Sequence, residues 1–410
     1  MEISVVFKQF IKPSSPTPPH HLATLTPSFL DQLSLSPFAP LVLFYNQHPP
    51  TYFLKTSLAE TLTLFYPLAG AIKDDKITVD CNDQGAYFVD TREKGRMKDL
   101  LARPDQHLID QLFRSTPPPN DQLIQANSFE RGGLAIACCL RHVCTDGIGL
   151  ASILKAWAAA TTFSSRDGNN NSVVCPDFTA STSMRKLQDG AGREEGGRRP
   201  SRFEAVSACV WRSFSNASRI NKGGHDPKEE PPRFRLTITL WAIWFCIHGQ
   251  NYPNLTWRHT NTHTDRISVF SFIENLKFNG ELIPLAYKIR EAVAKVDSGV
   301  VARLNREGSD ALKSLLDELS EELAGCSYFL YVNSWCNFGL TDVNFGKGDP
   351  VWAAPGFLME PGSRIGHLCG LLDAANAGGG IEAWIFTTEP CMDLFAAVRR
   401  PDRLPDFLSQ

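Results

Sequence analysis

The stretch LAIACCLRHVCTDGIGLASILKAW, from Leu134 to Trp157, predicts a buried strand, a tight turn and a helix in that order. The run Gly133–Leu140 is apolar throughout, which is typical of a strand covered on both faces. Asp146–Gly147 supplies turn chemistry, and the residues after it repeat their apolar positions at helical spacing. This order places His142 where the buried strand ends.

His142 is a candidate general base because of that position. The end of a buried strand opens onto the edge of a sheet, where crevices form in α/β proteins. A neutral imidazole there, with one ring nitrogen fixed by a neighbour, can take up a proton near neutral pH. The alternative is that His142 and Asp146 are simply two polar residues at a strand end, since a chain with 10 histidines also produces an HxxxD pattern by chance.

Asp146 has two open interpretations. An aspartate four residues after a histidine can orient the imidazole, as in a catalytic triad. It can equally point away from the histidine and pair with an arginine, which would hold the turn in shape. The spacing alone is compatible with both.

The composition is that of an ordinary globular protein. The chain has 410 residues, of which 43% are hydrophobic and 21% are charged. Its formal net charge of −3 excludes the basic surface on which binding to nucleic acid or an anionic membrane depends. The most apolar window, Leu236–Ile247, is much shorter than the roughly 20 residues of a membrane span. We therefore expect no nucleic-acid partner and no membrane segment.

The cysteines and the N-terminus favour the cytoplasm. The chain has 11 cysteines, an odd number, without a CxxC pair or a spacing typical of metal ligands. We interpret them as reduced thiols and expect no metal site. The first residues lack a charged leader followed by a continuous apolar stretch, which indicates that there is no signal peptide. These features predict a cytoplasmic protein.

Helical and strand patterns alternate along the chain, which predicts the α/β class. The segment Lys76–Asp90 is predicted to form a hairpin around a turn at residues 82–85. The other predicted elements are helices at Ser57–Tyr66, Arg202–Phe214 and Leu285–Val296, a strand at Ile381–Thr388 and a closing helix at Cys391–Arg399.

The chain divides into two domains of similar size. Residues 176–200 are small, polar and charged, and such residues bury too little surface to pack. We therefore predict an N-terminal domain of residues 1–175, a flexible connector of residues 176–200 and a C-terminal domain of residues 201–410.

Several segments, in the right order, resemble the plant BAHD acyltransferases. HVCTDG followed by GLASILKAW is similar to the family's HxxxDG signature, and GGGIEAWIFTTEPCMDLF is similar to its C-terminus. The resemblance also covers Ser28–Tyr45, Leu58–Lys73, Arg199–Ser213 and Asn333–Trp352. Within the family, the similarity is to the acetyltransferases of alkaloids and terpenoids.

The resemblance implies a fold and a reaction. The fold would be two domains of chloramphenicol-acetyltransferase-like architecture with an active-site channel between them. The protein would be an acyl-CoA-dependent O-acyltransferase that moves an acetyl group from acetyl-CoA to a hydroxyl group of a plant specialised metabolite, with His142 as general base. It would act as a monomer on an acyl-CoA and a small-molecule alcohol, and it would need no metal or other cofactor.

The resemblance also implies roles for other residues. Asp146 and Gly147 would be structural at the active site, the aspartate by pairing with an arginine. Ser334 and Trp335 would line the channel for the substrate and CoA. The structural loop that matches the family's DFGWG signature would comprise Asn344, Phe345, Gly346 and Gly348.

Two departures from the family support an alternative function. The second signature reads NFGKG, so that Asn344 replaces an aspartate and Lys347 replaces a tryptophan. The segment Leu236–Ser268 resembles no part of the family and has the composition of translated non-coding sequence. The alternative is a catalytically impaired relative that binds a ligand or partner without turnover. A hydrolase with a serine or Cys144 as nucleophile is a further alternative, although no GxSxG motif is present.

Overall fold

The computed structural model describes residues 2–18, 24–25, 38–73, 78–102, 104–113, 122–163, 201–221, 234–239, 268–273, 282–294, 314, 331–356, 368–375, 380–387 and 392–393. Helices and strands alternate within these ranges, as the sequence predicts. None of the helices in the described ranges combines the length and the apolar character that crossing a membrane requires.

The first half of the chain contains eight strands and four α-helices among its described residues. The strands are β1 (Glu2–Ile11), β2 (Thr24–Leu25), β3 (Phe38–Tyr45), β4 (Ala71–Ile72), β5 (Val79–Asp80), β6 (Ala86–Lys94), β7 (Leu123–Phe129) and β8 (Leu134–Arg141). The helices are α1 (Thr51–Leu64), α2 (Met97–Ala102), α3 (Gln106–Asp110) and α4 (Gly147–Phe163), with short 3-10 helices at Tyr66–Ala69 and Gln111–Phe113.

The described residues of the second half contain two further α-helices and six strands. They are α5 (Arg202–Asn221), β9 (Phe234–Thr239), β10 (Ser268–Ile273), α6 (Leu282–Ala294), β11 (Tyr331–Ser334), a 3-10 helix at Leu340–Asp342, β12 (Trp352–Pro355), β13 (Leu368–Asp373) and β14 (Ile381–Phe386). The predicted connector, and all of the predicted closing helix except residues 392–393, lie outside the described residues.

The largest sheet has the strand order β1-β6-β7-β8-β3-β12. β6 and β7 are parallel, and the other neighbours are antiparallel. The edge strand β12 comes from the second half of the chain and pairs with β3 from Trp352–Phe44 to Pro355–Leu41. The two halves of the sequence therefore share one sheet, while the predicted domain boundaries stay a prediction.

β8 lies between β7 and β3 and is covered on both faces, as its apolar run predicts. Leu134, Ile136, Cys138 and Leu140 pack with α1 and α4 in one core cluster. Ala135, Ala137 and Cys139 point to the opposite face and pack with Phe44, Val89 and Leu112 in another. Full burial of a large apolar side chain stabilises the folded state by about 1.5–3 kcal/mol, so these two layers fix the end of β8 firmly.

Helices α1 and α4 are joined by buried polar contacts as well as apolar packing. The indole nitrogen of Trp157, a fully buried residue, donates to the carbonyl oxygen of Leu54 at 2.9 Å. The hydroxyl groups of Ser57 and Thr161 lie 2.6 Å apart. Because a buried polar group must find a partner, these contacts set the position of α4 along α1.

The predicted hairpin at Lys76–Asp90 is wrong. β5 pairs with β2 and β4 in a small sheet, whereas β6 pairs with β1 and β7 in the large one. The turn between them is fastened to other segments: the Asp83 carboxylate accepts hydrogen bonds from the backbone N–H of Thr17 at 2.9 Å and from its hydroxyl at 2.6 Å. Gly85, at φ 102°, donates to the carbonyl oxygen of Ala69 at 2.9 Å. These contacts separate the two strands.

The second half has its own layer of helices on a sheet. β11, β13 and β14 form a three-stranded sheet, with β11 and β13 parallel. Helices α5 and α6 pack on it through a buried cluster, and the guanidinium of Arg290 and the carboxylate of Glu204 form an ion pair at 2.7 Å between the helices. Ser207 and Trp211 are buried in α5.

Candidate active site

The turn that carries His142 begins where β8 ends. The carbonyl oxygen of Arg141 accepts hydrogen bonds from the backbone N–H groups of Cys144 at 3.0 Å and Thr145 at 3.2 Å. These bonds close the turn over residues 142–144, and His142 is half-buried in it. The position at the end of a central, doubly covered strand is the one that the sequence predicts.

Asp146 caps helix α4. It is 4% exposed, and its Oδ1 accepts a hydrogen bond from the backbone N–H of Gly149 at 2.7 Å. Its own carbonyl oxygen accepts from the N–H of Leu150 at 2.8 Å. A helix begins with N–H groups that lack partners within the helix, and an aspartate at this position satisfies one of them. The carboxylate therefore has a local structural contact, while its pairing with an arginine stays a prediction.

Gln122, the residue immediately before β7, contacts the same turn. It is 1% exposed. Its Oε1 accepts a hydrogen bond from the backbone N–H of Arg141 at 2.6 Å, and its Nε2 donates to the sulfur of Cys144 at 3.3 Å. The two contacts lie on either side of His142 in the sequence.

A loop of the second half of the chain packs on the first turn of α4. A Cβ atom built on Gly147 would lie 2.7 Å from Cε2 of Phe338, so the aromatic ring occupies the space that a side chain would need. The ammonium group of Lys155, about two turns further along α4, donates to the carbonyl oxygen of Phe338 at 2.8 Å. Burial lowers the pKa of Lys155, and nearby Asp342 opposes that shift. Gly147 therefore lies at a contact between the halves.

Ser334 and Trp335 lie at the start of this loop. The Ser334 hydroxyl oxygen accepts from the backbone N–H of Cys336 at 3.3 Å. Trp335 is 7% exposed, and its ring centroid lies 6.3 Å from that of Phe338. Trp335 also lines a small recess with Leu340, Trp352 and Leu372, among others. The structure thus connects Trp335 to Gly147 through Phe338, whereas a substrate contact of Ser334 stays a prediction.

The NFGKG segment forms a closed loop around Asn344. Its amide oxygen accepts from the backbone N–H groups of Gly346 at 2.8 Å and Gly348 at 3.2 Å. Its amide nitrogen donates to a carboxylate oxygen of Asp349 at 3.0 Å. The glycines have φ values of 88° and 108°, which other residues rarely adopt. The asparagine therefore uses both ends of its amide, and the carboxylate that it faces belongs to Asp349.

Phe345 anchors that loop in the core of the first half. It is 2% exposed, and its ring meets those of Trp157 and Tyr45 edge-on, with centroids 4.8 Å and 5.6 Å away. The Tyr45 hydroxyl donates to the carbonyl oxygen of Val343 at 2.9 Å. The side chain of Lys347, which replaces the family's tryptophan, is exposed. These contacts connect the loop to the core, while the structural role that the resemblance implies for it stays a prediction.

The cysteines near the turn are poor candidates for a nucleophile. Burial raises the pKa of Cys139 to about 12 and raises that of Cys138 as well. A thiol attacks as the thiolate, so both are unreactive near neutral pH. Cys144 is half-buried and its sulfur faces the amide of Gln122. Among the residues that the structure describes, no cluster of histidine, cysteine, aspartate or glutamate suits a metal ion.

Gln122, Lys155 and Phe338 are contacts of the candidate site that the sequence does not reveal. Gln122 precedes a strand and shares no motif with His142, and 183 residues separate Lys155 from Phe338. Only the pairing of strands and the packing of the two halves bring these residues to the turn.

Comparison with known proteins decides the family. A family model described as Transferase family matches residues 1–186 and 162–399. The chain belongs to the BAHD acyltransferase family. This BAHD chain is 30% identical over 456 residues to the epi-neemfruitin B 7-O-acetyltransferase of Melia azedarach, with 96% of each protein covered. It is 28% identical over 470 residues to the (13S,14R)-1,13-dihydroxy-N-methylcanadine 13-O-acetyltransferase of Papaver somniferum, again with 96% of each covered.

The fold of this BAHD protein is similar to the crystal structure of vinorine synthase. The TM-score is 0.71 at 23% sequence identity, and the similarity covers 96% of both chains. The predicted α/β class with two domains of chloramphenicol-acetyltransferase-like architecture is confirmed. The protein is an acyltransferase enzyme, as the sequence predicts.

Proposed function

We propose that this BAHD acyltransferase moves an acetyl group from acetyl-CoA to a hydroxyl group of a plant specialised metabolite, an alkaloid or a terpenoid, with His142 as general base. The observation that carries the proposal is the placement of His142: a half-buried imidazole on a hydrogen-bonded turn at the end of a central strand. The O-acetyltransferase names of the relatives support the acetyl group and the hydroxyl acceptor. The family's use of acyl-CoA supports the donor.

The reaction follows from the chemistry of a thioester. His142 takes the proton from the acceptor hydroxyl as its oxygen attacks the carbonyl carbon of acetyl-CoA, and a tetrahedral oxyanion forms. When the carbonyl re-forms, the carbon–sulfur bond breaks and the imidazolium returns its proton to the departing CoA sulfur. The products are the acetate ester and CoA. No covalent acyl-enzyme is needed because the thioester is already activated.

Neighbouring residues have supporting roles in this proposal. Asp146 caps the N-terminus of α4 by accepting a hydrogen bond from the N–H of Gly149, and this contact fixes the point where the turn meets the helix. Gly147 leaves room for Phe338, so that the second half of the chain reaches the turn. Trp335, which lies against Phe338, and Ser334 before it would line the channel for substrate and CoA. No metal or other cofactor enters the proposed reaction.

A catalytically impaired protein is the second candidate. The atypical composition of the segment Leu236–Ser268 favours it. The substitution of Asn344 argues less strongly for it, because both ends of that amide have hydrogen-bond partners. A hydrolase with Cys144 as nucleophile is the least supported candidate; an electrophilic ester would label this residue covalently if the hydrolase were correct.

A substrate screen tests the proposed function. The purified protein is mixed with acetyl-CoA, malonyl-CoA or benzoyl-CoA and a panel of hydroxylated alkaloids and terpenoids, and products are detected by mass spectrometry. The proposal predicts an acceptor whose mass increases by one acetyl group, with CoA released in equal amount. Binding of acetyl-CoA without any product across the panel would favour the impaired protein.

We also propose that the enzyme works as a cytoplasmic monomer. The cysteine spacing supports the cytoplasmic setting, since it is not typical of a disulfide framework. Light scattering of the purified protein and imaging of a fluorescent fusion in plant cells test the two parts. A dimer mass, or a signal confined to an organelle, would contradict them.

A further inference from the structure

Gln122 contacts the residues on both sides of His142. Its Oε1 accepts the backbone N–H of Arg141 at 2.6 Å, and its Nε2 donates to the sulfur of Cys144 at 3.3 Å. Gln122 is 1% exposed, so the residue itself is shielded from water. One buried amide therefore connects the residue before His142 with the residue two positions after it.

The amide of Gln122 extends the pairing of two strands. The ladder between β7 and β8 ends with the pair Leu123 and Cys139. Beyond this pair, the side chain of Gln122 supplies the acceptor for the N–H of Arg141, a residue at the boundary between strand and turn. The hydrogen bond thus continues the ladder up to the residue that precedes His142.

The backbone of Gln122 is itself fixed by the sheet. Its carbonyl oxygen accepts from the backbone N–H of Tyr87 at 3.0 Å, next to the first register pair of β6 with β7, Tyr87 and Leu123. The amide is therefore anchored on a central part of the sheet. The side chain of Gln122 connects the turn to this part of the sheet through its contacts with Arg141 and Cys144.

We propose that Gln122 is a positioning residue for His142. By fixing the backbone on one side of the histidine and a side chain on the other, it sets where the imidazole lies relative to the acceptor. The inference rests on the proposed role of His142 as general base, because an error of about 1 Å in the position of a reacting group can lower a rate by roughly 100-fold. A residue that only stabilised the fold would change stability and leave the histidine in place.

The test compares two matched glutamine variants, one immediately before β7 and one within it. Gln122→Leu removes both contacts to the turn. Gln125→Leu removes an amide that is also buried, at 0% exposure, and that donates to Asn127 at 2.7 Å, away from the turn. The readout is the rate at which diethyl pyrocarbonate modifies His142, measured across pH by peptide mass spectrometry. His107 is exposed and serves as the internal reference in each sample.

We expect Gln122→Leu to change the modification rate of His142 severalfold, with no change at His107, while Gln125→Leu leaves both rates as in the parent protein. In acetyl transfer, Gln122→Leu should lower kcat by about 10- to 100-fold at an unchanged KM for acetyl-CoA. Equal modification rates of His142 in the two variants would overturn the proposal. If Gln122→Leu does not fold, Gln122→Met replaces it: its side chain has a similar length but can neither donate to Cys144 nor offer Arg141 more than a weak thioether acceptor, so a change in the same direction is expected and the parent rate would overturn the proposal.

The modification experiment needs no acceptor, so its outcome is independent of the proposed function. If the parent protein transfers no acetyl group to any acceptor, the proposed function fails, while the reactivity of His142 still decides the role of Gln122. If acetyl transfer occurs but the modification rate of His142 is the same in Gln122→Leu as in the parent protein, only the positioning role fails.

Discussion

The ring of Phe338 lies directly against Gly147, so close that a Cβ atom on the glycine would be 2.7 Å from Cε2 of the ring. The glycine of the HxxxDG signature is thus the point at which a loop of the second half meets the turn of the first half. Lys155 fastens the same loop by donating to the carbonyl oxygen of Phe338 at 2.8 Å. The position of the turn therefore depends on packing between the two halves.

Gly147→Ala tests this contact. The added methyl group overlaps the ring of Phe338, and overpacking of this kind typically lowers the free energy of unfolding by about 1–3 kcal/mol. We expect lower stability in thermal or denaturant unfolding and a lower rate of acetyl transfer. In Gly147→Ala/Phe338→Ala the ring is gone, so the loss for the double variant should be smaller than the sum of the two single losses. Additive losses in the free energy of unfolding would show that the side chain at position 147 and the ring of Phe338 do not interact.

The helix-cap role that the structure gives Asp146 and a triad role are separated by Asp146→Asn and Asp146→Ala. An asparagine oxygen can still accept the N–H of Gly149, so Asp146→Asn should keep stability and rate near the parent values. Asp146→Ala should lower the free energy of unfolding by about 1 kcal/mol, as expected for loss of a helix cap. If the carboxylate oriented the imidazole as in a catalytic triad, Asp146→Asn would instead lower kcat by about 10⁴-fold. Unfolding curves and kcat for both variants decide between these outcomes.

The sequence predicts the elements around the site better than their partners. The apolar run before His142 and the turn residues after it predict β8, the turn and α4, because burial on both faces and turn chemistry leave a local pattern. The hairpin at Lys76–Asp90 is wrong because its two strands pair with strands elsewhere in the sequence, β5 with β2 and β4 and β6 with β1 and β7. Contacts such as that of Gln122 with Arg141 arise from strand pairing, which no local pattern in the sequence encodes.

The same limit applies to the second signature. Read along the sequence, Asn344 looks like the loss of a charge that the family keeps. In the fold, its amide nitrogen faces the carboxylate of Asp349 five residues later, and its oxygen holds the glycines of the loop. The substitution is therefore matched by its surroundings, and only the geometry of the loop makes this visible.

Asn344→Asp should destabilise this protein although it restores the family's residue. The new carboxylate would lie about as close to Asp349 as the amide nitrogen does now, at 3.0 Å. Repulsion between two such charges costs roughly 1 kcal/mol even in water. We expect a lower free energy of unfolding than in the parent protein at pH 7. The difference should shrink as the pH falls below about 4, where carboxyl groups take up protons. Asn344→Asp/Asp349→Asn restores one donor and one acceptor, so its unfolding midpoint should return toward the parent value; a midpoint as low as that of Asn344→Asp would contradict the pairing.

The atypical segment is expected to be dispensable between residues 240 and 267. β9 and β10 pair antiparallel, and Thr239 and Ser268 are register partners at the end of this pair. Because Thr239 and Ser268 lie opposite each other, a two-residue Asn-Gly turn can connect the strands directly. We expect the shortened protein to fold with an unchanged or higher unfolding temperature and to transfer acetyl groups at least as fast.

Sequencing of the transcript across the same region checks the origin of the segment. A spliced product that lacks it would support the interpretation as translated non-coding sequence. An intact transcript, together with loss of folding in the shortened protein, would show that residues 240–267 belong to the enzyme.

The comparison of the parent protein with His142→Ala tests the central claim most directly. CoA release and ester formation are measured by mass spectrometry with acetyl-CoA and an acceptor found in the panel, and circular dichroism confirms that both proteins fold. Loss of a general base typically lowers a rate by about 10²- to 10⁴-fold, and we expect a loss of at least this size with an intact fold. A folded His142→Ala protein that transfers acetyl groups at nearly the parent rate would contradict the account.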